Sequence, residues 1–137
     1  MIEKTIEQWH EVISGDKAGL DDLLADDVVF YSPVVFTPQK GKDVTKLYIG
    51  AAGNTLGGGE PGSSGKSKFH YTKQILSGNH AMLEFETEMD GKFVNGVDII
   101  TCNDDGRIVE FKVMIRPLQA IQSVHAAMGR MLEAMQK

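Results

Sequence analysis

Cysteine is almost absent: Cys102 is the only one in the chain. An intramolecular disulfide and a cysteine-rich zinc site are both excluded, and a reducing setting, the cytoplasm, is the simpler expectation. Positive charge is in deficit as well. The 14 Lys and Arg stand against 19 Asp and Glu, a formal charge of −5. A nucleic-acid binder usually carries a basic balance, so no nucleic-acid partner is expected. Long apolar runs are missing too. None approaches the ~20 residues of a membrane span, so no membrane partner is expected. The opening MIEKTIEQWHEV carries acidic residues and no apolar core, unlike a signal peptide. What is present is ordinary for a soluble globular chain: 42% hydrophobic and 24% charged residues. At 137 residues the expectation is one domain, 1–137, with room for a core and one small pocket.

Periodicity places the elements. Ile2, Ile6, Trp9 and Ile13 recur at helical spacing, and Gly15 and Asp16 suit a C-terminal stop and the next N-cap. A short second helix turns Leu20, Leu23 and Leu24 inward and ends at Asp26 and Asp27. Val28 to Ser32 reads as a strand stopped by Pro33, and a third helix runs from Gly41 to about Leu56. Residues 57–67, GGGEPGSSGKS, read as a surface loop suited to a mobile flap, without the ending of a phosphate loop. Four strands follow, Phe69–Leu76, Ala81–Met89, Phe93–Cys102 and Arg107–Arg116, joined by turns that include two Asp-Gly pairs. Pro117 ends the last. A terminal helix then spans 118–135, with Leu118, Ile121, His125, Met128, Leu132 and Met135 on one stripe. Helices gathered on one face of a mostly antiparallel sheet make an α+β fold.

Strand parity sorts the faces. Ala81, Leu83, Phe85, Thr87 and Met89 oppose Met82, Glu84, Glu86 and Glu88, so the first set faces the helices. Val109, Phe111, Val113 and Ile115 are inner on the last strand, opposite Ile108, Glu110, Lys112, Met114 and Arg116. In between, Val94, Gly96, Asp98, Ile100 and Cys102 oppose Phe93, Asn95, Val97, Ile99 and Thr101. Both of these faces are apolar, and parity alone does not say which one holds Asp98. On the inner face, its carboxyl would be pushed toward the neutral acid.

The element order, the ADDVVFYSP segment and the GVDII…DDGRI hairpin resemble the nuclear transport factor 2-like superfamily over essentially the whole chain. Within it the chain is most similar to SnoaL-like proteins and, more distantly, to ketosteroid isomerases. The resemblance implies a cone-shaped, curved antiparallel sheet wrapping the N-terminal helices, with an additional C-terminal helix. It also implies an inward Asp98, matched by its spacing to Gly106, as acid/base or hydrogen-bond donor. The isomerases' general-base Asp before a Pro corresponds here to Ser32 before Pro33, and serine is no base by itself. Their first-helix Tyr falls near Gln8.

The expected site is an apolar cavity lined by Trp9, Phe30, Tyr48, Leu83, Phe85, Thr87, Phe111, Val113 and Ile115. Asp98 is its candidate catalytic group, with Ser32 and Gln8 as polar points. Simpler roles stand beside these: a structural Asp98 satisfied by a Trp, Tyr or Gln, and a Ser32 hydroxyl bonded to nearby backbone. His10, His70, His80 and His125 lack metal spacing, and Asp21, Asp22, Asp26 and Asp27 lack a calcium-loop pattern, so no metal or other cofactor is expected. The expected activity is cofactor-free isomerase- or cyclase-type proton transfer on a small apolar or polyketide-like carbonyl compound. The alternatives are a non-catalytic binder of a small hydrophobic molecule and a dimeric interaction module with a filled cavity. Val97, Ile99, Ile108 and Met114 on the outer face point to a homodimer.

Overall fold

The computed structural model describes residues 1–15, 18–56 and 68–135, with side chains at 54–56 and 135 left aside. The N-cap read at Asp16, the flap read at 57–67 and the inward side chain read at Met135 lie outside the described residues. Two helices open the chain, α1 (Ile2–Ile13) and α2 (Gly19–Leu23), followed by β1 (Leu24–Tyr31), β2 (Gln39–Lys40) and α3 (Lys42–Leu56). Then come β3 (His70–Ser77), β4 (His80–Met89), β5 (Lys92–Cys102), β6 (Ile108–Arg116) and α4 (Leu118–Met135). The order and type match the α+β expectation. The strands form one curved, unclosed sheet in the order β2-β1-β6-β5-β4-β3. Every neighbouring pair is antiparallel except β1 with β6, which run parallel.

The hydrophobic period sets how α1 meets this sheet. Ile2, Thr5, Ile6, Trp9 and Val12 are its buried residues. They lie on one face and cap the inner side of the sheet with Leu83, Phe85, Ile100 and Phe111. Gly78 and Gly91 supply positive φ in the β3–β4 and β4–β5 turns. Cys102 donates its backbone N–H to the Asn79 carbonyl, tying the β3–β4 turn to the end of β5.

Four details differ from the sequence reading. Leu24, Asp26 and Asp27 belong to β1, because α2 is only five residues long and pairing with β6 claims the chain from Leu24 onward. The two-residue β2 was read as loop between Pro33 and Pro38, yet Val29 and Phe30 pair with Lys40 and Gln39. Ile108 is inside, not outside: Cys102 pairs with Ile108 and Thr101 with Glu110, so Val109 is an extra residue that switches parity. On α4 the buried residues are Ala120, Val124 and Met128, while His125 and Leu118 are exposed. The stripe is rotated from the one read because α4 packs mainly on α3 rather than flat on the sheet.

Candidate functional site

The middle of β5 carries the one acidic side chain that is buried among the described residues, Asp98, only 6% exposed. Register explains its surroundings. Asp98 lies between Leu83 of β4 and Val113 of β6 on the inner face. One step along, Gly96 lies between Phe85 and Ile115. A Cβ on Gly96 would collide with the Phe85 ring and lie 2.8 Å from the Met114 carbonyl oxygen. Glycine is therefore what lets the Phe85 ring lie close against β5, one residue pair from the carboxyl.

Aromatic rings frame the carboxyl. Trp9 meets Phe111 edge-on at 5.0 Å, Phe111 stacks on Phe30 at 5.9 Å, and Phe30 reaches Tyr48 at 5.4 Å. A second group joins Phe69 to Phe85 at 4.9 Å and to Tyr71 at 5.2 Å, with His10 edge-on to Tyr71 at 5.5 Å. Contacts of this geometry suit the ring quadrupoles. One hydrogen bond links the two groups: Trp9 Nε1–H donates to the Tyr71 hydroxyl at 3.0 Å. Tyr71 in turn donates to Asp98 Oδ2 at 2.7 Å. The other carboxyl oxygen, Oδ1, has no hydrogen bond among the described residues.

Burial pushes the Asp98 carboxyl up to about 7, against the lowering effect of the Tyr71 hydrogen bond. Tyr71 is held well above its ordinary value, chiefly by burial and then by the adjoining carboxylate. The tyrosine therefore keeps its proton while the aspartate exchanges one near neutrality. A carboxyl poised there can give or take a proton at a bound molecule.

The expected lining residues Trp9, Phe30, Leu83, Phe85, Thr87, Phe111, Val113 and Ile115 are all buried, and Tyr48 is half-buried against Phe30. The two polar points differ from expectation. Gln8 is exposed, one residue and about 100° around α1 from Trp9. The helix instead offers the Trp9 indole N–H. Ser32 is half-buried, and its hydroxyl accepts a hydrogen bond from Val34 N–H at 3.2 Å, a local backbone bond. No hydrogen bond joins it to Asp98 among the described residues.

Sequence reasoning missed Tyr71. Phe69 and Tyr71 alternate toward the rings, but Thr72, Lys73 and Gln74 then blur the pattern. The cause is a bulge: Tyr71 pairs with Phe85 while Lys73 pairs with Glu84, so Thr72 is skipped. Beyond it Gln74 and Leu76 take the inner register, opposite Leu83 and Ala81. Gln74 Oε1 lies 2.9 Å from His10 Nε2 at the rim.

Elsewhere, an open depression of about 450 Å³ is lined by Ala25, Asp26, Asp27, Asn103, Asp105 and Arg107, at the start of β1 and the β5–β6 turn, away from Asp98. No group of three metal-ligating side chains occurs among the described residues, and none of their helices is long and apolar enough to cross a membrane.

Residues 6–111 match the SnoaL-like domain. A steroid delta-isomerase structure from Pseudomonas aeruginosa is similar at 32% identity and TM-score 0.87, covering 98% of this chain and 93% of that one. A structure from Silicibacter pomeroyi with a cystatin-like fold is similar at 30% identity and TM-score 0.79, covering 92% and 83%. A designed protein with a curved β-sheet shares the fold at 17% identity and TM-score 0.66, covering 91% and 94%. Among curated proteins, none matches the sequence.

Proposed function

The chain belongs to the SnoaL-like family within the nuclear transport factor 2-like superfamily, and from that premise we propose that it binds a small apolar carbonyl compound and moves a proton on it through Asp98. The observation that carries this reading is the buried carboxyl itself. It sits among aromatic and aliphatic side chains, makes one hydrogen bond among the described residues, and is pushed by burial up to about 7. As a base, Oδ1 takes a proton from the carbon beside a carbonyl, and the C–H electron pair passes into the enolate. As an acid, it returns that proton to the same carbon or a conjugated one. Such a group contributes about 100- to 10,000-fold in rate. The similarity to a steroid delta-isomerase favours a rigid apolar ketone as substrate.

A non-catalytic binder is the second reading, favoured by one observation. The strand-end position that would hold a separate base is Ser32, and its hydroxyl is occupied by Val34 N–H. The test is deuterium exchange, followed by NMR, at the carbons next to the carbonyl in a panel of apolar enones and β,γ-unsaturated ketones. Exchange above the buffer rate, falling about 100-fold or more in Asp98→Asn, is expected. Ligands that perturb Trp9 fluorescence without exchanging would establish the binder instead.

A further inference from the structure

The direction of the Trp9–Tyr71–Asp98 chain is fixed by the chemistry of its first member. An indole N–H can only donate. The Tyr71 oxygen accepts that bond, so its single proton is free for one other partner, and Asp98 Oδ2 lies 2.7 Å away. We propose that Trp9 and Tyr71 form a one-way donor chain that anchors Oδ2 and reserves Oδ1 of Asp98 as the only atom that trades a proton with a bound molecule.

Two consequences distinguish this from a general polar contact. Tyr71 is a positioning residue: its proton is committed to Oδ2, so it does not donate to a ligand. The neutral acid therefore presents one donor, Oδ1–H, and a carbonyl is recognised at one point. When that proton is given up, its O–H electron pair stays on Oδ1 and the charge is stabilised by the shortening Tyr71 bond, which is polarised in turn by Trp9. The second consequence is a built-in reporter. Trp9 is the only tryptophan in the chain, and its N–H feels the protonation of Asp98 through a single oxygen.

The groups facing Asp98 are few. Leu83 from β4 and Val113 from β6 carry no charge, and Tyr71 from β3 stays protonated. Among the described residues, the other titratable side chain against the chain of donors is His10 of α1, packed edge-on on the Tyr71 ring.

The assignment of Oδ1 rests on the proton-transfer reading, but its test needs no substrate. The indole ¹H–¹⁵N signal is followed from pH 5 to 9 in the unliganded wild-type protein and in Asp98→Asn. The expected result is a wild-type transition with the same midpoint as the Asp98 side-chain carboxyl ¹³C signal, and no such transition in Asp98→Asn. Tyr71→Phe is expected to move the Asp98 midpoint upward by about one pH unit, because a hydrogen bond to the carboxylate is lost. A wild-type indole signal that ignores the titration of Asp98 would overturn the chain, as would an unmoved midpoint in a folded Tyr71→Phe. Absent deuterium exchange with the indole transition intact would instead count against the proton-transfer reading alone.

Discussion

The two faces of β4 and β5 are built from the same ten residue pairs, yet they treat acidic groups in opposite ways. On the outer face, Glu84 is held by Asn95 Nδ2 at 3.0 Å and lies 3.9 Å from Lys73, while Glu86 faces His70 at 3.8 Å and Glu88 faces Lys68 at 3.2 Å. Arg116 extends this row by donating to Asn95 at 3.3 Å. These groups are wet, and water does most of the work of stabilising them. On the inner face, one carboxyl has a tyrosine and hydrocarbon for company, and no cation contacts it among the described residues. A pair of neighbouring strands can thus carry several solvated acids on one face, all from β4, and one neutralisable acid on the other, from β5. Chemistry follows the face, not the residue type.

The comparison is broken most severely at Gly96. Gly96→Val should drive the Phe85 ring and the neighbouring β6 backbone off their positions and cost about 3 kcal/mol or more, read as a fall in the urea midpoint. A variant as stable as wild type would mean that the ring does not lie across β5.

The pH dependence of stability is an effect of comparable size. The folded protein holds Asp98 near 7, against an ordinary 3.8. Between those values the native state keeps a proton that the unfolded chain has lost, so stability declines as pH rises through this window and levels off above it. The total is about 4 kcal/mol. Asp98→Asn is neutral at all pH and should flatten that slope, gaining on wild type from pH 5 to 8 in denaturant titrations. Parallel curves for the two proteins would place the carboxyl in water.

Smaller still are outer-face effects. Glu84→Gln should change stability by less than about 1 kcal/mol and leave the inner carboxyl untouched, because exposed pairs are worth little. The same face offers a site for self-association. Ile75 and Met114 are each about half exposed, at 51% and 52%, with Met82, Val97 and Ile99 half-buried between them. We propose this apolar band as the seat of a homodimer, without the Ile108 of the sequence reading. Light scattering at micromolar concentration should give twice the chain mass, falling toward the monomer in Met114→Lys. A monomeric wild type would remove the proposal.

The inner and outer sets of β4 were legible because alternation there is uninterrupted from Ala81 to Met89. The inward turn of Asp98 was not legible from β5 by itself, since Val97 and Ile99 are as apolar as Gly96 and Ile100. It needed either a resemblance or the pairing of Asp98 with Leu83 and Val113. Parity failed where a strand bulges. Val109 moved Ile108 to the inside, and Thr72 hid Tyr71. Bulges are set by pairing with the next strand, which a single strand's sequence does not display. Gln8 failed for a different reason. Counting residues back from a turn locates a position along a helix, but one residue of error rotates it by about 100°. The polar group that α1 brings to Tyr71 is the indole N–H of the neighbouring Trp9.

The proposed chemistry needs one property, a carboxyl that is neutral or charged according to small changes near pH 7. Its most direct test is the ¹³C titration of the Asp98 side-chain carboxyl in the unliganded protein, assigned by comparison with Asp98→Asn. A midpoint of about 7 is predicted. A midpoint near the ordinary 3.8 would contradict the account, because the group would then be a fixed anion at neutral pH and could not serve as the acid.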